Sequence, residues 1–123
     1  MSRFRLAGIL FLGLLAFFAL VPTPFSKGRL ATFGLAHYCL HITAFCVAFH
    51  LLSSGAEGGR RLAAVAALLV AFGAAVEVLQ TRRYGTGIEY PDIAANAAGV
   101  LLGYVSRWFW TNRVPDTLAG PRR

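Results

Sequence analysis

LAAVAALLVAFGAAVEVLQT, residues 62–81, is a run of twenty residues with one charge, Glu77. It is far too long for an ordinary strand, and ~20 apolar residues is what a helix needs to cross a bilayer. The chain then passes through a short basic loop containing glycine, Arg82-Arg83-Tyr84-Gly85-Thr86-Gly87-Ile88-Glu89-Tyr90-Pro91. A second apolar segment follows, Asp92-Ile93-Ala94-Ala95-Asn96-Ala97-Ala98-Gly99. Glu77, Gln80, Asp92 and Asn96 therefore stand among Ala, Val and Leu. Such groups cost free energy there unless paired or wetted. In a bilayer an ionisable residue is a functional-site hypothesis by default.

The rest of the chain has the same character. Hydrophobic residues make up 57% and charged ones 14%, against ~25% charged in soluble domains. Residues 6–21, 30–55 and 93–106 hold no Asp, Glu, Lys or Arg. The pattern predicts an all-α integral membrane bundle of four transmembrane helices, at roughly 4–21, 30–52, 61–81 and 92–110. A length of 123 residues leaves no room for a second domain. Arg3 and Arg5 ahead of an apolar run also fit the start of a secretory signal. The run ends in Val21-Pro22-Thr23-Pro24 without a small-x-small cleavage site, so an uncleaved helix is expected.

Basic residues set the expected orientation. With four spans, both termini and the middle loop share one side, which holds eight arginines: Arg3, Arg5, Arg60, Arg61, Arg107, Arg113, Arg122 and Arg123. The other side holds four basic residues, Lys27, Arg29, Arg82 and Arg83. Both termini are expected in the cytoplasm. Orientation and attraction to anionic lipid account for the net charge of +7, and no nucleic-acid motif accompanies it. Trp108 and Trp110 fit an aromatic belt at the inner interface. Cys39 and Cys46, seven residues apart on one helix, are ~10.5 Å apart in rise, too far for a disulfide.

Depth follows at ~1.5 Å per residue. Glu77 falls ~6 Å inside the outer end of the third helix, and His37 and His41 lie ~10 and ~16 Å into the second. Gly73, Glu77 and Gln80 share a face, as do Asp92, Asn96, Gly99 and Gly103. Gly99-x-x-x-Gly103 is the small-residue spacing that lets helices approach closely. Three helices thus bring Glu77, Gln80, Asp92, Asn96, His37 and His41 to the outer half of the membrane, and nothing in the first helix matches them. Each has a plainer reading as well. Asp92 after Pro91 suits a helix's first turn, Asn96 serves as interhelical glue, and Gln80 lies near the interface. The histidines suit packed, hydrogen-bonded roles. Glu77 is the least easily explained, since a carboxylate one turn into hydrocarbon must be protonated, paired or wetted.

Two histidines at i, i+4 near carboxylates invite a metal reading, but the flanking glutamate of a metalloprotease helix is missing. We assign no metal and no cofactor from sequence. Ser53, Ser54 and Ser106 fall toward the cytoplasmic side, far in depth from His37 and His41, so nucleophilic catalysis has little support. His50 receives no role.

Glu77-Val-Leu-Gln80, then Arg82-Arg83, then Asp92-Ile-Ala-Ala-Asn96-Ala-Ala-Gly99-Val-Leu-Leu-Gly103 resembles the VanZ-like family of small bacterial membrane proteins. The resemblance covers roughly residues 37–105. The family tends to carry Asp-Lys-x-x-His-Phe near the start of the second helix, where this chain has His37-Tyr38-Cys39-Leu40-His41 and keeps the last His. It usually has Gly-Arg about six residues before the aspartate, where this chain has Gly85-Thr86, with Arg82 and Arg83 slightly upstream. The resemblance implies a role at the outer leaflet of the bacterial cytoplasmic membrane, touching envelope lipids or their lipid-linked precursors. It takes its name from a member linked to resistance to the glycopeptide teicoplanin, and it supplies no reaction.

Three functional readings follow. The first is binding or handling of an anionic envelope lipid or glycolipid in a pocket of Glu77, Gln80, Asp92, Asn96, His37 and His41, with Arg82 and Arg83 at its mouth meeting phosphate. The second is an intramembrane hydrolase of a lipid-linked phosphate, with His41 and Glu77 or Asp92 in acid–base roles. The third is an accessory subunit of a larger membrane complex, partnered by another membrane protein or a second copy. A proton-coupled transporter is a weaker fourth.

Overall fold

The computed structural model describes residues 2–21, 34–56 and 58–113, with side chains to residue 110. It is all-helical: α1 (Arg3–Leu20), α2 (Gly34–Leu52), α3 (Gly59–Tyr84) and α4 (Tyr90–Arg113). Lys27, Arg29, Arg122, Arg123, the Pro22–Pro24 stretch and the expected first turn of the second helix at 30–33 lie outside the described residues. The third helix runs three residues past its expected end, and the fourth begins two residues early, ahead of Pro91.

Local chemistry sets these limits. Ser2 accepts the Arg5 N–H at 3.3 Å and caps α1. Gly85, at φ +67°, closes α3 in the left-handed conformation that glycine takes without strain, and its N–H bonds Thr81 O. Arg82 and Arg83 in the last turn of α3 complement its dipole. The Glu89 carbonyl receives the first N–H groups of α4, from Asp92 and Ile93. Pro91, which has no N–H to place, sits in that first turn.

α1, α2 and α3 are each long and apolar enough to cross a membrane. Much of their apolar surface faces outward: Leu10 is 65% exposed and Leu35 79%. A soluble monomer rarely shows so much apolar area, and a bilayer solvates it. α4 does not reach that apolar mark, its stretch holding Asp92, Asn96 and Arg107. Its 24 residues give ~36 Å of rise, and it packs against α2 and α3.

Partner residues fix the topology. His37 pairs with Asp92, His41 with Asn96 and His50 with Ser106, so α2 and α4 run parallel. Among the described residues α1 packs against α2 and α3 and not against α4. The seam between α2 and α4 is the tightest in the bundle. A Cβ on Gly99 would fall on the Ile42 carbonyl oxygen, and one on Gly103 would lie 2.9 Å from Phe49 Cβ. The apolar core lies along one end of this seam and its neighbours, around Phe45, Ala48, Phe49, Leu62, Leu69 and Val100. At that end Arg5 Nε donates to the Ser54 carbonyl at 2.9 Å, tying α1 to the turn between α2 and α3. The polar residues gather at the other end, where α2 and α4 begin.

Candidate functional site: the histidine–aspartate cluster

The first two turns of α2 and of α4 lie side by side, and each presents two polar residues at i, i+4. His37 Nε2 lies 3.1 and 3.2 Å from the two oxygens of Asp92. His41 Nδ1 lies 2.8 Å from Asn96 Oδ1, and its Nε2 is 3.9 Å from Asp92 Oδ2. The two imidazoles are in contact, with ring centres 4.5 Å apart. Asp and Asn have short side chains and reach α2 only because the backbones are close. Buried Ala95 and Gly99, with no side chain, allow that approach.

Burial is graded across the cluster. The Asp92 side chain is 2% exposed, His41 26% and His37 32%. The acid and the amide are buried, and the imidazoles beside them are part-exposed. Asp92 in the first turn of α4 is favoured there by the helix dipole. Asn96 also touches α3, since a Cβ on Gly73 would lie 3.0 Å from its Nδ2.

Glu77 and Gln80 each bond a main-chain group. Glu77 is 2% exposed, and its Oε1 accepts the Glu89 N–H at 2.9 Å. It holds the α3–α4 loop to α3, one turn beyond Gly73. Gln80 Nε2 donates to the Ala19 carbonyl at 3.1 Å, and Tyr84 Oη donates to the same oxygen at 3.4 Å. The last carbonyls of a helix have no partner of their own, so these side chains finish α1. The expectation that the first helix offers nothing at this depth is corrected by that carbonyl. Arg82 and Arg83 are exposed on the last turn of α3. Among the described residues no hydrogen bond or ion pair joins them to His37, His41, Asp92 or Asn96.

Two further features were not legible beforehand. His50, given no role, lies at the far end of the α2–α4 seam with Nε2 3.0 Å from Ser106 Oγ. Ser106 Oγ donates in turn to the Gly103 carbonyl at 3.0 Å. Ser106 is thus remote from His37 and His41 but not from every histidine. Near the end of α3 and in the loop after it, the hydroxyls of Thr81 and Thr86 are buried without hydrogen-bond partners among the described residues, at a cost of ~1–3 kcal/mol for each such group. Thr86→Val, close in shape and free of that cost, is expected to melt in detergent at or above the wild-type temperature; a clear drop would show that the hydroxyl is satisfied in solution. Cys39 and Cys46 are both free thiols.

No protein-family model, no curated protein and no solved structure matches the chain. The arguments for function rest on the residues and their geometry.

Proposed function

We propose that this chain is a VanZ-like protein of the bacterial cytoplasmic membrane, with both termini in the cytoplasm, that binds an anionic envelope lipid or glycolipid by its headgroup. The supporting observation is the graded burial of the cluster. His37 and His41 are part-exposed beside the buried Asp92 and Asn96, at the end where two parallel helices begin. Those two N-termini add positive potential that favours an anion. Arg82 and Arg83, exposed at the end of α3, supply diffuse attraction at the same membrane face on the expected topology. The eight-to-four distribution of basic residues carries that topology.

Native mass spectrometry in nanodiscs tests the reading, with phosphatidylglycerol and phosphatidylcholine as the probes. Wild type is expected to retain the anionic lipid selectively. At ~1 kcal/mol per basic residue near a membrane surface, Arg82→Ala/Arg83→Ala should weaken that retention about tenfold to thirtyfold at low salt. The loss should shrink as ionic strength rises. Equal retention of both lipids by wild type would sink the proposal.

Acid–base chemistry on a lipid-linked phosphate is the second reading, favoured by the His37–Asp92 pair at 3.1 Å. It would show as release of inorganic phosphate from such a substrate, which simple headgroup binding does not produce.

A further inference from the structure

We propose that His37, His41 and Asp92 form a binding site for a divalent transition-metal ion of the zinc class. Imidazole nitrogen and carboxylate oxygen are ligands such ions take. One ligand atom from each of the three residues lies within 4.8 Å of the others. Bond lengths of ~2.0–2.1 Å place tetrahedral ligand atoms ~3.3–3.5 Å apart. Asp92 Oδ2 lies 3.2 Å from His37 Nε2 and 3.9 Å from His41 Nε2, either side of that value, and side-chain rotation would draw the three ligand atoms together around an ion.

The hydrogen bond to Asn96 provides an independent reason. Asn96 Oδ1 can only accept, so His41 Nδ1 carries the proton and donates across 2.8 Å. Its Nε2, on the other side of the ring, faces Asp92 Oδ2 3.9 Å away. Asn96 stands to His41 as outer-shell partners stand to metal-bound histidines, fixing the tautomer and aiming the ring. The Asp92 oxygens supply one negative charge from the closed side. The part-exposed imidazoles leave the ion open on the other side, toward an anionic oxygen or water. The inference stands apart from headgroup binding: a protein that holds zinc and shows no lipid preference leaves it intact.

The experiment uses the full chain, purified in detergent through a tag without histidine, stripped with chelator, loaded with ZnCl₂ and dialysed. Elemental analysis is expected to find one zinc per chain, with a rise in melting temperature on loading. His37→Ala and His41→Ala should each lose the retained zinc, while His50→Ala, on the same helix and outside the cluster, keeps it. Asn96→Ala should weaken zinc ~10–100-fold, with helicity by circular dichroism and gel-filtration volume reporting whether it folds. Wild-type protein that retains no zinc after dialysis overturns the proposal, whatever the variants do. So does a folded His37→Ala/His41→Ala protein that still holds one zinc per chain.

Discussion

Gly99→Leu is expected to open the α2–α4 seam and to abolish the cohesive folded bundle. The built Cβ of residue 99 already falls on the Ile42 carbonyl oxygen, a backbone atom that no rotamer change can move. Even Gly99→Ala sets a gain of ~1 kcal/mol in helix propensity against that overlap. Overpacking typically costs ~1–3 kcal/mol, and here the obstacle is main chain, so the overlap prevails. Leu extends the same conflict by three carbons. The seam carries His37–Asp92 and His41–Asn96 as well as the glycines, so the site should be lost with the packing. Thermal melting in detergent and gel filtration measure the effect. Gly87→Ala is the matched control, because a Cβ there meets nothing within 4 Å. A Gly99→Leu protein that melts with wild type would show that the helices do not approach this closely.

Glu77 should separate shape from charge. Its Oε1 accepts the Glu89 N–H inside the bundle. Glu77→Gln keeps an oxygen at that place, so insertion and melting should stay near wild type. Glu77→Ala removes the acceptor and leaves a cavity, and an unmet buried donor alone costs ~1–3 kcal/mol. Its melting temperature should fall by several degrees, and the α3–α4 loop should become more sensitive to protease. If the carboxylate's charge also serves function, Glu77→Gln will fail in a complementation assay while remaining folded. Full complementation by Glu77→Gln would reduce the residue to a structural brace and favour the accessory-subunit reading.

These two residues also show how far the sequence could be read. The long uncharged runs required helices, and Gly99-x-x-x-Gly103 marked a face for close approach. Spacing gave the shared face of Asp92 and Asn96 and that of His37 and His41. It could not give the order of helices around the bundle, because a 3.6-residue period specifies a face and not its neighbour. Four alternating spans make α2 and α4 run the same way, but their adjacency, which makes Asp92 a partner of both histidines, emerges only when the helices are placed. Glu77 and Gln80 were assigned to the pocket by depth. Both bond main-chain groups, the Glu89 N–H and the Ala19 carbonyl, and a sequence does not show where a loop folds back or a helix stops. The contact of His50 with Ser106 was missed for the same reason: 56 residues separate them, and only the parallel register brings them together.

Photolabelling with a phosphatidylglycerol analogue bearing a diazirine next to its headgroup tests the central claim most directly, with the attachment sites mapped by mass spectrometry on the wild-type chain in bilayers. The account predicts adducts concentrated at the N-terminal turns of α2 and α4, around Tyr38 and Ile93, and competed away by unlabelled phosphatidylglycerol but not by phosphatidylcholine. Adducts spread evenly along the lipid-facing sides of all four helices, or confined to the opposite end near Trp108 and Trp110, would contradict it.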